Sequence, residues 1–391
     1  MTDSDKPKAK KRHTVITEAP APDEAGSTFK SLCIEKLKPM AEKVGGNVDT
    51  ATEMELLAPP TTFIPTGIYA FDNVLSGGFG IPGGRFIEIY APESVGKTAL
   101  CEFLLGRFKA IGGTLHYIDT ECARDDAHLA CYNVTPDDII APDLPDLECV
   151  WDYITGVCNL LHVTNAQRAK DGLPPERPNL VVIDSVAATP ARAELDEKNH
   201  DDSHVAEQAR SNSKGVRKTV RRFSASDAVL LCVNQNRDKI GAYGNGPKTE
   251  TPGGRALKYA YSIRLKLAKI ETLYKGPKDD QVTVGHLIEV TTIKNKLCPQ
   301  NQKCKLVLSY LRGIDVHWTN FLWFQEHRRI EAKGASGYVM KGCAEAFKRS
   351  TFGQFCADHK DLVAKVAEEC LAEDRKQLVQ EAAATKVTPE D

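Results

Sequence analysis

The feature that most constrains this chain is the stretch Phe86–Leu100, with the sequence FIEIYAPESVGKTAL. An alternating apolar segment leads into a turn that ends in Gly-Lys-Thr, and a helix-like pattern follows. The turn, Ala91–Thr98, matches the phosphate-binding loop pattern and has the strand before and the helix after that this motif requires. Ala91 stands where the pattern opens with glycine, but it closes the strand in extended backbone, where small size is enough. The segment therefore predicts a nucleotide phosphate site.

Each part of this loop has its own expected role. Backbone N–H groups at the start of the helix, helped by the helix dipole, would bind phosphate oxygens. Lys97 would neutralise the β and γ phosphates, and the Thr98 hydroxyl would bind Mg²⁺. Gly96 is expected because a Cβ at this position would crowd the phosphates. The predicted nucleotide contacts in the loop are Ala91, Pro92, Glu93, Ser94, Val95, Gly96, Lys97, Thr98 and Ala99.

Strand-like segments alternate with helical ones along most of the chain, which argues for an α/β sheet. The continuous apolar run Leu180–Ile183 suits a parallel strand covered on both faces. We predict an α/β core with a mostly parallel central sheet, an N-terminal helical segment and a small C-terminal α-rich domain. The predicted elements are strands in RFIEIYA, GGTLHYIDTE, NLVVIDS, DAVLLCVNQN, YSIRLKLAKI, VGHLIEVTTIKNK and CKLVLSY, and helices over Lys97–Ala110, Val150–His162 and Arg210–Arg222.

Shifts in composition predict four parts of the chain. Residues 1–27 are rich in Lys, Ala, Pro and Asp with almost no apolar content, which is typical of a disordered basic tail. Residues 28–60 are predicted to hold an amphipathic helix, to about Lys43, and a linker. Residues 61–325 form the predicted core, and residues 326–391 a small, charged, helical C-terminal domain and tail.

Composition argues against a membrane or exported protein. The chain is 41% hydrophobic and 27% charged, and no apolar run approaches the ~20 residues needed to span a bilayer. The N-terminus, MTDSDKPKAKKRH, lacks the apolar core of a signal peptide. The 12 cysteines form no repeating framework, and the spacing of Cys298 and Cys304 does not match zinc ligation. We therefore expect a cytoplasmic protein with reduced thiols and no metal site built from Cys.

Acidic residues at strand ends are the candidates for metal binding and hydrolysis. Asp184 follows the apolar run LVVI and would hold the hydration shell of Mg²⁺ from the end of a strand that neighbours the loop strand. Hydrolysis also needs a group that orients or deprotonates the attacking water. Glu121 and Asp119 both qualify, and both are expected on one face of a strand next to the loop strand. The sequence pattern does not choose between them.

Charge is unevenly distributed, although the net charge is only −2. The segment Arg210–Arg222, RSNSKGVRKTVRR, carries basic residues and no acid, which indicates a local patch for nucleic acid. The segment Asn236–Gly254 is rich in Gly and Pro and has no apolar periodicity, and loops of this length in compact domains are usually functional. Its basic side chains would contact phosphates, and Ile240 and Tyr243 would wedge between bases or stack on them.

Together these segments resemble the bacterial RecA recombinases, including their phage-encoded members. The matching motifs, in order and approximate spacing, are EIYAPESVGKTAL, YIDTE, LVVIDSVAA, DDSHVAEQAR, VNQNRDKIG, PGGRALKYA and KNK. They lie between about Phe63 and Lys348, and a generic phosphate-loop ATPase would share only the first and third. The resemblance implies a RecA-like P-loop ATPase core that uses ATP and Mg²⁺. It also implies polymerisation on single-stranded DNA and strand exchange with homologous double-stranded DNA.

The resemblance implies roles for residues around the nucleotide. Glu121 becomes the catalytic carboxylate in preference to Asp119, while Asp184 keeps its magnesium role. Asp125 matches a contact to adenine, and His128 aligns with the aromatic residue that stacks on adenine. The implied catalytic set is Glu121, Lys97 and Gln235.

The resemblance also implies assembly and signalling. Gln235 matches the residue that senses the γ-phosphate and signals to the DNA-binding loop that follows it. Lys294 and Lys296 match lysines that reach ATP bound to the adjacent subunit, so nucleotide would promote a homo-oligomeric helical filament. Residues 28–60 would take part in subunit assembly, and single-strand-binding and mediator proteins are expected partners.

For DNA, the resemblance points to the basic helix and to the loop at 236–254, here called loop two. Loop one, Ala193–His204, departs from the family pattern because it is acidic and lacks the family's glycines, and acids near phosphates repel them. The predicted DNA contacts are Arg210, Ser213, Arg217, Lys218, Arg237, Lys239, Ile240, Gly253, Gly254 and Arg255.

Two alternatives keep the same ATP-binding core. One is a ring-forming hexameric helicase or motor, and the other is a DNA-coating regulatory filament without strand exchange. The basic helix, loop two and the KNK motif favour a recombinase over a ring. Glu121 and Asp184 argue against a filament that has lost hydrolysis.

Overall fold

The computed structural model describes residues 35, 38–39, 62–121, 126–196, 204–238, 249–277 and 280–384. The chain divides into two compact units, residues 1–58 and 59–391. The described residues of the first unit, Glu35, Lys38 and Pro39, are helical. The tail predicted at 1–27, and the rest of the predicted helix and linker, lie outside the described residues. The elements below belong to the second unit.

Short and long strands alternate with helices along this unit. The strands are β1 Phe63–Ile64, β2 Ile81–Pro82, β3 Arg85–Ala91, β4 Leu115–Asp119, β5 Ile139–Ile140, β6 Leu180–Asp184, β7 Val229–Gln235, β8 Arg237–Asp238, β9 Thr249–Glu250, β10 Ile263–Lys275, β11 Val282–Asn295, β12 Lys303–Ser309, β13 Gly313–Ile314, β14 Ile330–Ala332, β15 Tyr338–Met340 and β16 Ala346–Phe347. The α-helices are α1 Tyr69–Ser76, α2 Lys97–Ala110, α3 Asp126–Ala130, α4 Leu147–Lys170, α5 Arg192–Asp196, α6 His204–Ser224, α7 Gly254–Ala260, α8 Val316–Glu326, α9 Phe352–Asp358 and α10 Lys360–Ala384.

The central sheet has the strand order β13-β12-β11-β10-β3-β7-β6-β4-β5. The six strands from β10 to β5 run parallel to one another, and β11, β12 and β13 continue the sheet in antiparallel pairs. This confirms the predicted α/β class with a mostly parallel sheet. The carboxyl ends of β3, β4, β6 and β7 meet at one edge, where open α/β sheets bind ligands.

The neighbours of the loop strand differ from the prediction. We expected the strands that carry Glu121 and Asp184 to lie next to β3, but β7 lies between β3 and β6, and β4 lies beyond β6. The chain crosses from β3 to β4 and later fills the gap with β6 and β7. Because residues 229–233 of β7 are all apolar and at most 1% exposed, β7 suits a central position with covered faces.

Helices cover both faces of the sheet. The helix α2 has the predicted bounds, Lys97–Ala110, and packs in the larger apolar cluster with β3. The helices α4 and α6 pack together against the other face. The predicted helix Val150–His162 was too short, because α4 begins after the cap Asp146, whose side chain accepts from Cys149 N at 2.7 Å. Gly156 lies inside α4 without ending it, and the helix runs to Lys170, two residues before Gly172.

The C-terminal residues add a feature that the sequence did not predict. Beside α9 and α10, strands β14, β15 and β16 form a three-stranded antiparallel sheet. Strands of two or three residues are too short to show periodicity. Phe352 packs on Phe321 of α8, with ring centroids 5.5 Å apart, and the C-terminal residues share the larger apolar cluster. A separate domain at 326–391 stays a prediction.

Two expectations about membranes and metals concern the whole chain. Within the described ranges, no helix is long and apolar enough to cross a membrane. Within the same ranges, no group of three or more His, Cys, Asp or Glu side chains is arranged to hold a metal ion. Cys101, Cys158 and Cys232 are free and buried.

Candidate nucleotide site and nucleic-acid surface

The loop between β3 and α2 has the backbone of a phosphate cradle. Ala91 is 0% exposed at the end of β3, and Gly96 caps α2 with a left-handed φ of 108°. A Cβ on Gly96 would lie 2.8 Å from Leu308 Cδ2 and 3.0 Å from Ile288 Cδ1. Glycine is therefore required by the backbone and by the packing of β11 and β12. The reason given from the sequence, that a Cβ on Gly96 would crowd bound phosphates, stays a prediction.

A cavity of about 420 Å³ opens beside this loop. It is bounded by the loop, α2, the strand ends of the sheet and the turn after β12. The predicted site residues that line it are Glu93, Ser94, Gly96, Lys97, Thr98, Ala99, Glu121, His128, Asp184 and Gln235. Sequence reasoning missed Glu102, His286, Leu308, Ser309 and Tyr310, which also line it. None of these five residues belongs to a local sequence motif. They reach the cavity because α2 and the later strands β11 and β12 fold beside it.

Lys97 is the first residue of α2, and its side chain reaches back to the loop. Its Nζ donates to the carbonyl oxygens of Pro92 at 2.9 Å and Ala91 at 3.3 Å. Burial lowers the pKa of Lys97, while the nearby carboxylates of Asp184 and Glu121 act in the opposite direction. The Lys97 ammonium group therefore lies against the backbone of the loop, which the motif predicts to bind phosphate.

Asp184 and Thr98 meet at the floor of the cavity. Thr98 Oγ1 donates to Asp184 Oδ2 at 3.1 Å, and the Tyr117 hydroxyl donates to the same oxygen at 2.9 Å. Burial raises the pKa of Asp184, and these two hydrogen bonds partly oppose the shift. A hydroxyl beside a carboxylate supplies the oxygen ligands that Mg²⁺ prefers. The pair therefore lies together as the sequence predicted, although β7 separates β6 from β3.

Glu121 and Asp119 take different positions. The strand β4 ends at Asp119, so the expectation that both acids share one face of a strand was wrong. Asp119 is paired in register with Asp184, whereas Glu121 lies beyond the strand end and lines the cavity. Ser185 Oγ donates to Glu121 Oε1, and Gln235 Nε2 donates to the same oxygen at 3.4 Å. The geometry thus places Glu121, rather than Asp119, in the cavity wall.

The register between β3 and β7 determines the position of Gln235. In the parallel pair of β3 and β7, Gln235 lies opposite Ala91, so it stands at the beginning of the phosphate loop. Its side chain contacts Glu121, and loop two begins directly after it. Gln235 therefore connects the cavity wall to the predicted DNA loop.

The far end of the cavity is lined by histidines and by Tyr310. His128 Nε2 lies 3.1 Å from the Tyr310 carbonyl oxygen, and its Nδ1 lies 3.7 Å from the buried Glu102 carboxylate. His286, 2% exposed, has Nε2 3.2 Å from the Val95 carbonyl oxygen. Because a carbonyl only accepts, Nε2 of His286 carries the hydrogen. Burial lowers the pKa of His286, which favours the neutral ring.

Two of the predicted base contacts remain untested. Asp125 lies outside the described residues. Stacking of His128 on a base stays a prediction, although the structure does place this ring in the cavity wall.

Lys294 and Lys296 lie apart from the cavity of their own chain. Lys294 Nζ donates to the carbonyl oxygens of Lys258 at 2.8 Å and Tyr259 at 3.0 Å, and Lys296 Nζ to that of Tyr259 at 3.4 Å. Burial, with the charges of Lys296 and Arg264, lowers the pKa of Lys294 to about 8. Both ammonium groups therefore lie at the C-terminal end of α7, and neither lines the cavity.

The predicted basic helix lies within α6. Its buried face packs on α4, where Gly215 meets Trp151 so closely that a Cβ would lie 2.1 Å from Trp151 Cγ. The opposite face carries exposed basic side chains at helical spacing, namely Arg210, Lys214, Arg217 and Arg221. Arg210 pairs with Glu207, and Lys218 pairs with Asp152 at 2.6 Å. Ser213 is partly exposed on the same helix.

The two ends of loop two lie in regular structure. Strands β8 and β9 pair Arg237 with Glu250, and Lys239 and Ile240 lie outside the described residues. Gly253 and Gly254, with φ of 98° and 82°, begin α7, and Arg255 in its first turn is exposed. A Cβ on Gly254 would lie 2.8 Å from the Cβ of Ala209 on α6, so the glycine lets α7 approach α6.

Loop one is described only in part. Its first residues belong to the short helix α5, Arg192–Asp196, and residues 197–203 lie outside the described residues. Arg192 Nε pairs with Asp146 at 2.9 Å, which ties α5 to the start of α4.

Comparison with known proteins agrees with this geometry. The family model for the RecA N-terminal domain matches residues 49–153 and 173–315. Protein RecA of Levilactobacillus brevis is 33% identical over 329 residues, which are 83% of this chain and 80% of that protein. Protein RecA of Clostridium perfringens is 34% identical over 73% of this chain and 75% of its own length. Protein RecA of Mycobacterium marinum is 37% identical over 65% and 67% of the two chains. The family-model match covers the phosphate loop, the strand ends and loop two, and the chain therefore belongs to the RecA family.

Proposed function

We propose that this chain is an ATP-dependent recombinase that forms helical filaments on single-stranded DNA and catalyses homologous pairing and strand exchange. One observation carries the proposal. Gln235 contacts Glu121 in the cavity wall and directly precedes loop two, so one residue connects the cavity to the predicted DNA loop. Membership of the RecA family, whose relatives carry the name Protein RecA, supports the same function.

The residues present fit ATP with Mg²⁺. The left-handed φ of 108° at Gly96 suits a phosphate cradle, and Lys97 would neutralise the β and γ phosphates. Thr98 and Asp184, joined at 3.1 Å, would hold Mg²⁺, which when bound stabilises the charge that develops on the phosphates. Glu121, which lines the cavity, would orient and deprotonate the attacking water. We therefore infer a DNA-dependent ATPase.

Assembly into a filament is supported by the position of Lys294 and Lys296. Both lie outside their own cavity, at the end of α7. If these lysines complete the site of an adjacent subunit, nucleotide charge is fully neutralised only in the assembled filament. ATP would then favour assembly on DNA, and ADP would favour release.

The exposed face of α6 supports contact with the DNA backbone. We expect Arg217→Ala to weaken binding to all single-stranded sequences alike, because a phosphate contact carries no base information. The slope of log K against log salt should become shallower by about 0.7, the value for one phosphate contact on a single strand. Fluorescence anisotropy over a salt series measures this slope.

A matched control for this variant is Arg375→Ala, which removes an exposed arginine of α10 that pairs with Glu368 at 3.3 Å. This control should leave the salt slope unchanged. An unchanged slope in Arg217→Ala itself would remove Arg217 from the DNA surface.

The function is tested by strand exchange between circular single-stranded DNA and homologous linear duplex, with Mg²⁺ and with or without ATP. Product that forms only with ATP and only with homologous duplex is the expected result. Absence of product in the presence of nucleotide-dependent DNA binding would favour the DNA-coating filament. Negative-stain images with a slowly hydrolysed ATP analogue should show helices, and closed rings would favour the helicase or motor.

A further inference from the structure

Glu88 is a buried charge in the middle of the loop strand. It lies on β3, three residues before Ala91, and is 0% exposed. Its carboxylate accepts from Arg264 Nε of β10 at 2.5 Å and from Asn234 Nδ2 of β7 at 3.0 Å. Burying an ion pair costs desolvation energy, and apolar replacements of such pairs are often neutral or stabilising. Stability alone therefore does not explain this carboxylate.

One partner of Glu88, Asn234, is hydrogen-bonded to a residue of the cavity wall. Asn234, also 0% exposed, accepts through Oδ1 from the backbone N–H of Gln235 at 3.2 Å. The side chain of Gln235 in turn donates to Glu121 at 3.4 Å. The orientation of the Asn234 amide is thus tied to the backbone of the residue that lines the cavity.

Both partners of Glu88 also donate hydrogen bonds to residues at the end of loop two. Asn234 Nδ2 donates to the Pro252 carbonyl oxygen at 3.1 Å, and Arg264 Nη2 donates to Thr251 Oγ1 at 3.0 Å. Thr251 is buried, and Gly253 follows Pro252 at the start of α7. The last residues of loop two are therefore held by the same two side chains that Glu88 orients.

The hydrogen-bonding capacity of these groups explains why the carboxylate occupies the centre. The Asn234 amide nitrogen has two hydrogens, and Glu88 and Pro252 accept from it. Arg264 presents a planar fork, with Nε on Glu88 and Nη2 on Thr251. A carboxylate accepts from both donors at once, whereas an amide offers only one accepting oxygen.

We propose that Glu88 is a positioning residue that couples the nucleotide state at Gln235 to the conformation of loop two, and hence to DNA affinity. The inference rests on the proposed function, since it assumes that loop two binds DNA. A displacement of the Gln235 backbone changes the orientation of the Asn234 amide. The hydrogen bonds that this amide donates to Glu88 and to the Pro252 carbonyl oxygen then change as well. Coupling between two sites requires such an element, which both sites bias.

The test measures a ratio rather than an activity. In wild-type protein, the Kd for single-stranded DNA is measured by anisotropy with a slowly hydrolysed ATP analogue and again with ADP. The ratio of these two Kd values is the coupling, which is typically about 5- to 150-fold for allosteric pairs. In Glu88→Gln we expect this ratio to fall to within about threefold of unity, below that range. Affinity for the ATP analogue without DNA should be kept, because Glu88 does not line the cavity.

A matched control and a second variant make the result specific. Glu289→Gln removes a carboxylate of β11 that pairs with exposed Lys303 at 2.8 Å, and the ratio should stay at the wild-type value. Thr251→Val removes only the hydroxyl that Arg264 contacts and keeps the side-chain shape, so it should lower the ratio even if Glu88→Gln fails to fold. Circular dichroism melting checks the fold of each variant.

The outcomes separate this inference from the proposed function. If wild-type affinity for DNA does not depend on nucleotide, the proposed function is wrong, and the proposed coupling through Glu88 is wrong as well. If wild-type affinity does depend on nucleotide but the ratio is unchanged in Thr251→Val and in folded Glu88→Gln, only the role of Glu88 is overturned. A lowered ratio in either variant, with Glu289→Gln unchanged, supports the coupling.

Discussion

Replacing Lys97 by Ala should remove ATP-dependent binding to single-stranded DNA. The Lys97 ammonium lies against the loop carbonyls, 2.9 Å from the Pro92 oxygen, and would face the β and γ phosphates of bound nucleotide. A hydrogen bond to a charged group contributes about 1.5–3 kcal/mol, so nucleotide affinity should fall roughly 10- to 150-fold. Titration with a fluorescent ATP analogue measures the affinity, and anisotropy with labelled DNA measures the consequence.

Lys109→Ala is the matched control for this variant. Lys109 lies at the other end of α2, where it pairs with Asp138 at 2.5 Å, and it does not line the cavity. Nucleotide affinity should therefore be kept in the control. If Lys97→Ala binds the analogue as tightly as wild type, the loop does not hold phosphate as proposed.

Glu121→Gln should abolish most ATP hydrolysis and leave nucleotide binding in place. The amide keeps the shape of the side chain, but it cannot accept a proton from the attacking water. General-base catalysis contributes about 10²- to 10⁴-fold, so DNA-stimulated phosphate release should fall by that factor. Because the ATP-bound state persists longer, filaments on DNA should dissociate more slowly. A coupled phosphate assay and a DNA dissociation experiment measure the two effects.

Asp119→Asn distinguishes the two carboxylates that the sequence left open. Asp119 ends β4 opposite Asp184 and does not line the cavity, so its amide variant should keep a hydrolysis rate much closer to wild type. A larger loss of hydrolysis in Asp119→Asn than in Glu121→Gln would reverse the assignment.

The loop itself could be predicted from the sequence to the residue. The strand Arg85–Ala91 and the helix Lys97–Ala110 have the expected bounds, because alternation, a turn and helical spacing are local signals. The basic face of α6 was predictable for the same reason. The residues Lys97 and Thr98 could be chosen before any fold was known, since their chemistry follows from the motif.

The neighbours of that loop could not be predicted in the same way. We placed the strands of Glu121 and Asp184 next to β3, but β7 occupies that position. Strand order depends on which surfaces become covered when segments more than a hundred residues apart pack together, and no local pattern reports it. Tyr310 and His286 were missed for this reason, because only the folding of β11 and β12 over the loop brings them to the cavity.

The sequence alone determined the chemical groups, the α/β class and the membership that seven ordered motifs indicated. Those depend on residue types and short spacings, which are complete before folding. The tertiary structure decided that Gly96 makes room for Leu308 and Ile288, and that Glu121 rather than Asp119 lines the cavity. It also joined Glu88, through Asn234 and Arg264, to Gln235 and to the end of loop two. These are contacts between distant segments, and their geometry exists only when burial of apolar surface brings the segments together.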